Sequence, residues 1–447
     1  MRIAIIGSGI AGMSAAWLLN KAHDITVYES AERPGGHSHT VPMPTSAGDV
    51  PVDTGFIVYN ERNYPNLTAL FRHFDVETEA SRMSFGVSLD GGRFEYSGSE
   101  KYGTLFAQKS NLLRPAFHRM LADIMRFNSA ARRYLRESAD VEPLTIGRFL
   151  ERGRYGEVFC NHYLLPMSAA IWSARPNDIR AFPARSFLQF FDNHGLLSLD
   201  DRPLWRSVKG GSTVYVERLT ASFRDRLRLG CSAMRVSRQD DRVVVDDSKG
   251  QAESFDAVVL ACHADQASSL IDGPTRAEEE VLGAFDYQSN EAFLHSDPNL
   301  MPKRRAVWSS WNYLASSTRT QDTKLSVTYW MNHLQRLETD RLTLVSLNPI
   351  EAPDEEHVIK TMSYDHPKFD QKALNAQSRL SEIQGRHRLW FAGAHWGYGF
   401  HEDGLLSGLQ VAAGLGAAPP WWPNVQPFKR AVPYEELDVP IAVAGSD

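Results

Sequence analysis

A chain of 447 residues, 43% hydrophobic and 23% charged, is long enough for two or three hydrophobic cores and excludes the disordered and fibrous classes. A formal net charge of -6 supplies no global attraction for polyanions, so no nucleic-acid partner is expected. Three widely spaced cysteines, Cys160, Cys231 and Cys262, fit neither a disulfide framework nor a zinc site, which points to a reducing, cytoplasmic location.

The elements begin at once. Arg2 to Ile6 reads as a short buried strand, Gly7-Ser8-Gly9 as a tight turn, Ile10 to Asn20 as a helix, and Ile25 to Tyr28 as a second strand ending in Glu29, together a βαβ unit. A secretory signal also begins with an apolar run, but Gly7, Gly9 and Gly12 interrupt this one where a strand would turn into a helix. The three glycines have separate tasks: one turns the chain, one lets a pyrophosphate approach the backbone, one lets helix pack on strand. Ile10 and Ala11 open the helix, where unpaired N–H groups and the dipole favour phosphate. Glu29 stands at roughly the 20-residue spacing at which a carboxylate accepts hydrogen bonds from an adenosine ribose, and it would repel a 2′-phosphate.

The continuation "ESAERPGGHSHT" carries Glu29, Ser30, Arg33, Gly35, Gly36 and His37. It resembles the E-x3-R-x-GG element of the flavin-containing amine oxidase and phytoene desaturase superfamily. The resemblance implies FAD, with the glycine pair close to the diphosphate and ribityl chain; His37 stands where that element usually has arginine. Asp53-Thr54-Gly55-Phe56 resembles the superfamily's next element, which brings Gly55 and Phe56 to the flavin ring. A plain β-turn accounts for the same four residues. His37 and His39 have no carboxylate or thiol partner at ligand spacing, and no metal is expected.

Residues 112–137, "LLRPAFHRMLADIMRFNSAARRYLRE", place Phe117, Met120, Leu121, Ile124, Met125 and Phe127 among arginines. A basic amphipathic helix of this kind can lie on anionic lipid at the inner face of a membrane; an ordinary solvated helix face has the same pattern. Further on, "VSRQDDRVVVDDSKGQAESFDAVVLACHADQ" reads as strands about a turn followed by a buried strand, Ala257 to Ala261. In the superfamily this pattern puts Val236 and Ala261 near the adenosine half. Near the end, "LWFAGAHWGYGFHEDGLLSGLQVAAGLG" resembles the flavin-closing segment: a strand, Gly393-Ala394, a loop, then a helix from about Gly404 through Leu405, Ser407 and Gly408. A helix starting there would stabilise negative charge on the reduced ring.

With cofactor motifs so scattered, the domains must interleave. The expected fold is α/β: a doubly wound Rossmann-like FAD domain (1–85, 205–265 and 388–418) beside an α+β substrate domain (86–204 and 266–387), with a proline-punctuated tail at 419–447. No apolar run reaches the roughly 20 residues of a membrane span.

The stretches "NHYLLPMSAAIWSA", "FFDNHGLL", "VKGGSTVYVERL", "HSDPNLMPKRRAVWSSWNY" and "YWMNHLQRL" together resemble one bacterial branch of the superfamily. Its members occur with cyclopropane-fatty-acid-synthase-like methyltransferases and include the desaturase of furan fatty acid biosynthesis. The branch implies oxidation of a methylated, monounsaturated fatty acyl chain, still attached to phospholipid, to a conjugated methylated diene, with a fatty-acid methyltransferase as a partner. Trp308, Trp311, Trp330, Met331, Trp396, Tyr398 and Phe400 are candidates to line an apolar tunnel, and plain core packing is their alternative.

The chemistry expected is hydride transfer from an activated allylic C–H to flavin N5, followed by loss of a neighbouring proton. Candidate acceptors are His401, Glu402, Asp403 and His194; an acidic pair before a helix also serves as a cap or dipole partner, and a lone histidine as a structural one. An amine oxidase, a fatty-acid double-bond isomerase and a non-catalytic FAD-binding partner of a methyltransferase stay open at this point.

Overall fold

The structure is a computed structural model that describes residues 1–98, 102–136, 144–172, 176–198, 202–316 and 324–422; the tail expected beyond Trp422 lies outside the described residues. Its first layer is a five-stranded parallel sheet in the order Leu227–Arg228, Asp24–Tyr28, Arg2–Ile6, Ala257–Leu260, Leu389–Phe391. Ile6 pairs with Tyr28 on one side and Leu260 on the other. Both faces are covered, so the central strands are continuous apolar runs rather than alternating ones. Helix Ile10–Leu19, buried at every position, packs on one face together with helix His401–Gly414. The other face is closed by the antiparallel strands Ala233–Gln239, Arg242–Asp247 and Ala252–Phe255, whose Val236, Val243, Val245 and Phe255 share a core with Ala4 and Ile6. The chain leaves Arg2–Ile6 towards Asp24–Tyr28 on one side, while Ala257–Leu260 and Leu389–Phe391 add on the other. A crevice opens at that reversal, beyond the carboxyl ends of the strands.

The second layer is a seven-stranded sheet in the order Val358–Pro367, Tyr287–His295, Leu344–Leu347, Lys324–Trp330, Trp311–Ser316, Phe85–Leu89, Phe94–Gly98. Its pairs are antiparallel except Trp311–Ser316 with Phe85–Leu89. Helices Pro115–Arg136, Ile146–Arg152, Leu165–Trp172 and Ala184–Asn193 share a core with it around Phe117, Phe127, Phe159, Phe187 and Phe191. The fold class is the one expected, a doubly wound domain beside an α+β domain.

Element ends differ slightly from expectation. The first helix stops at Leu19, with Asn20 as its cap, and the closing helix begins at His401 rather than Gly404. The reason for the earlier start is Asp403, whose carboxylate accepts from the backbone N–H of Tyr398 and Phe400, each at 3.0 Å, and so holds the chain into the first turn.

Candidate active site

A single cavity of about 1010 Å³ runs from the glycine turn into the seven-stranded domain. At one end Gly7, Ser8, Gly9, Ile10 and Ala11 form its floor. Gly7 takes φ +101°, and a Cβ on it would meet Ala261 O at 2.7 Å, while a Cβ on Gly12 would sit 1.9 Å from Gly7 O. These two glycines serve the turn and the helix–strand contact. Gly9 differs: nothing lies within 4 Å of where its Cβ would be, which leaves the helix N-terminus open to a phosphate. Glu29 faces the same end, its Oε2 accepting from Ser8 N at 2.9 Å and Ser8 Oγ at 2.5 Å. Ser30, Gly35, Gly36, His37 and Ala261 also line it.

Farther along, Thr54, Gly55, Phe56, Gly393, Ala394, His401 and Gly404 meet across the cavity. The His401 ring stacks on Phe56 at 3.9 Å between centroids. Its Nε2 is 2.6 Å from the Tyr215 hydroxyl, and burial holds the imidazole down at about 3, so it is neutral at ordinary pH. The apolar arm beyond is walled by Met83, Phe85, Met120, Leu121, Ile124 and Met167, with aromatic rings from Trp311, Tyr329, Phe190, Tyr398 and Phe400. His194 lines this arm, stacked on Phe190 at 3.9 Å, its Nδ1 2.9 Å from Phe190 O and its imidazole held at about 4 by burial.

Other expected site residues stand elsewhere. Glu402 does not reach the cavity: its buried carboxylate accepts from Asn66 N, Asn66 Nδ2 and Leu67 N at 2.8–2.9 Å. Asp403 is a helix cap, as above. Neither can take a proton from a ligand in the cavity. Arg33 holds the glycine-pair loop through the carbonyls of Pro34, Gly36 and Ser38, and Val236 and Leu405 are core residues. Ser407 ties strand to helix, its Oγ accepting from Gly393 N at 2.8 Å and donating to Gly404 O at 2.7 Å. Of the tunnel candidates, Trp311, Tyr398 and Phe400 line the cavity. Trp308, Trp330, Met331 and Trp396 do not: Trp308 and Trp330 pack edge to face under Arg305, Met331 is buried in the sheet core, and Trp396 packs against Phe285. Tyr329, one residue before Trp330, is the ring that faces the ligand space, because side chains alternate along a strand.

Helix Pro115–Arg136 turns its apolar face inward. Phe117, Met120 and Phe127 are buried and Leu121 and Ile124 line the cavity, leaving Met125 outward, 53% exposed. The chain just before it exposes Leu112 (51%) and Leu113 (87%). Arg202 and Leu204 are exposed and also line the cavity, so the apolar arm opens beside them. Among the described residues no helix is long and apolar enough to cross a membrane.

Residues that the sequence reading passed over complete the cofactor end. His263, Tyr287, Tyr364, His366 and His395 line it, and His37 Nε2 is buried there without a protein partner. His263 was within reach of sequence reasoning, since it lies three residues beyond the end of the buried strand Ala257–Leu260 at the sheet's point of reversal.

A parallel sheet with a glycine turn opening on a phosphate-ready helix, a carboxylate at the end of the second strand and a helix N-terminus opposite defines an FAD-dependent oxidoreductase, and an uncovered Gly9 with the unpartnered buried Nε2 of His37 fits that cofactor. The chain belongs to the flavin containing amine oxidoreductase family, whose model matches residues 10–415. Its fold is similar to that of cyclohexylamine oxidase from Brevibacterium oxydans (15% identity, TM-score 0.65, covering 93% of this chain and 98% of that one). It is similar also to a conjugated-linoleic-acid-producing fatty acid isomerase from P. acnes (16%, 0.63, 91% and 96%) and to a putative protoporphyrinogen oxidase from Exiguobacterium sp. (16%, 0.64, 93% and 98%).

Proposed function

We propose that this flavoprotein desaturates a methylated, monounsaturated fatty acyl chain to a conjugated methylated diene, as the furan fatty acid branch of the family does. The observation that carries the reading is the apolar arm. Among the described residues its wall holds no lysine and one arginine, Arg202 at the opening, and the acidic lining residues Glu29, Asp265 and Asp365 belong to the cofactor end. An ammonium substrate would find no carboxylate there to balance its charge, whereas a hydrocarbon chain gains from every apolar surface it covers. A fatty acid isomerase of the same fold supports an acyl occupant.

Bound FAD supplies a two-electron acceptor for the hydride leaving the allylic carbon. The protein's own part is to hold the chain straight between Phe190, Tyr329 and Phe400, to exclude water, and to receive the proton. Loss of hydride leaves a delocalised cation whose neighbouring proton is strongly acidic, so a weak base suffices. His401 is neutral, does not repel that cation, and is held in place by Phe56 and Tyr215; it is our proton acceptor in preference to His194, because it meets the flavin-motif residues Gly55, Phe56 and Gly393 across the cavity while His194 is packed among the rings of the apolar arm. The exposed Leu112, Leu113, Met125 and Leu204, with the exposed Arg119, Arg133 and Arg202 in the same segments of the protein, suit an anionic bilayer as the source of the acyl chain. A lipid methyltransferase would act before this enzyme.

The test is lipid mass spectrometry of a host expressing the protein with and without a fatty-acid methyltransferase. A loss of two hydrogens confined to methylated acyl chains is expected. An unchanged mass with a shifted double bond would make the protein an isomerase, and no lipid change with turnover of simple amines would make it an amine oxidase.

A further inference from the structure

Among the described residues, the cofactor end of the cavity has no permanent cation on its wall. Arg33 is engaged with three backbone carbonyls and stands behind the lining, Arg202 lies at the far opening, and no lysine lines the cavity among the described residues. A flavin dinucleotide nonetheless brings a diphosphate with two negative charges to the glycine turn. Backbone N–H groups at Gly9 and Ile10 supply partial charge alone.

What the wall does carry is imidazole from four separate elements. His263 directly follows Cys262, whose backbone N would lie 3.3 Å from a Cβ on Gly7. His37 directly follows Gly36, whose own Cβ would lie 3.2 Å from Gly9 Cα, so the two histidines flank the turn. The His37 ring is 5.3 Å from that of His366. His395 packs on Gly393, a Cβ there meeting its Cε1 at 2.3 Å, and both His263 and His395 neighbour Tyr287, at 4.4 and 6.5 Å.

We infer that His37, His263, His366 and His395 form the countercharge for the FAD diphosphate and take up protons from solvent as the cofactor binds. Without it they are neutral: burial pushes His37 far down, lowers His263 and holds His366 at about 4 and His395 at about 3, and neighbouring imidazoles add to this at His37, His366 and His395. A phosphate oxyanion within about 4–6 Å reverses that balance, because it stabilises the imidazolium and accepts its N–H. The other groups facing the cluster do not substitute. Burial keeps Cys262 protonated up to about 12 and raises Tyr287 and Tyr364. His39, also lowered to about 4, is bonded to the Tyr364 hydroxyl at 2.8 Å. Asp265 and Asp365 favour the imidazolium forms, and Arg33 and His401 oppose them. His37, where the arginine of the glycine-pair element is expected, thus belongs to a set that replaces a fixed charge by an induced one.

The experiment is calorimetric titration of the full-length apoprotein with FAD at pH 7 in buffers of different ionisation enthalpy, repeated from pH 8 to pH 6. Uptake of at least one proton per FAD is expected, with affinity rising about tenfold per pH unit for each proton taken up. ADP-ribose, which carries the same diphosphate diester without the isoalloxazine, should give the same uptake and riboflavin none. His263→Asn and His366→Asn should each lower the uptake while FAD still binds with its yellow spectrum. Buffer-independent heats with an affinity constant from pH 8 to 6 would overturn the inference, as would uptake with riboflavin but not with ADP-ribose. All of these readouts are independent of the acyl substrate.

Discussion

Glu402 caps a helix that begins more than three hundred residues earlier in the chain. Its Oε1 accepts from Asn66 N at 2.9 Å and Asn66 Nδ2 at 2.8 Å, and its Oε2 from Leu67 N at 2.9 Å. Helix Pro65–His73 has Tyr64 at its N-cap with no side-chain cap of its own, so the two first-turn N–H groups that a local Ser or Asp would satisfy are met by a carboxylate from the flavin-closing helix.

That arrangement predicts a stability effect without a catalytic one. Glu402→Ala leaves those donors buried and unpaired, at a cost of about 2 kcal/mol, measurable by denaturant unfolding. Flavin reduction per bound FAD should stay near wild type. A collapse of that rate with stability intact would return Glu402 to the reaction.

The same residue sets a pH dependence. Burial outweighs the three hydrogen bonds and pushes the Glu402 carboxyl up to about 7, from 4.5. The folded protein therefore holds a proton that the unfolded chain releases between those values, and stability falls as pH rises through the window, by about 3 kcal/mol in all. Glu402→Gln should flatten the stability curve between pH 4.5 and 7. A variant whose slope there equals that of the wild type would refute the assignment.

Gly408 packs the closing helix against the first one. A Cβ at this position would lie 2.1 Å from Ala11 O and 2.3 Å from Ser14 Oγ, so Gly408→Ala must push the helices apart. We expect a loss of about 1–3 kcal/mol and faster FAD release, read as fluorescence of free flavin on warming, since both helices supply cavity residues.

His401 and its stack on Phe56 give the catalytic prediction. His401→Asn should slow flavin reduction by methylated lipid about 10²-fold while the visible spectrum of bound FAD persists. The wild-type rate should show no titration of His401 between pH 5 and 9, because burial holds its imidazole at about 3. A similar loss in His194→Asn with none in His401→Asn would reverse the assignment.

The membrane reading is tested on Leu113, 87% exposed, and Met125, 53% exposed. The double variant Leu113→Ser, Met125→Ser should bind phosphatidylglycerol vesicles severalfold more weakly in cosedimentation, and raised salt should weaken the wild type as well, since both apolar insertion and basic charge contribute. Equal binding by variant and wild type would remove this surface from consideration.

Local chemistry was legible in the sequence because it is written at short range. A strand, a glycine turn and a helix need only neighbouring residues, so Arg2–Ile6, Ile10–Leu19 and Asp24–Tyr28 stand where periodicity put them, to within a residue or so. The flavin motifs could be ordered for the same reason. What residues far apart do to one another was decided by the tertiary structure alone. Only folding brings Glu402 to Asn66, turns Tyr329 rather than Trp330 towards the cavity, and sends Trp308 and Trp396 into packing. Composition sees these side chains as equivalent, and which face of a strand or helix they occupy depends on partners hundreds of residues away. The gathering of His37, His263, His366 and His395 on one wall is of that kind: only His37 stands out in its own segment, and their shared charge state exists only because the sheets bring them within reach of one another.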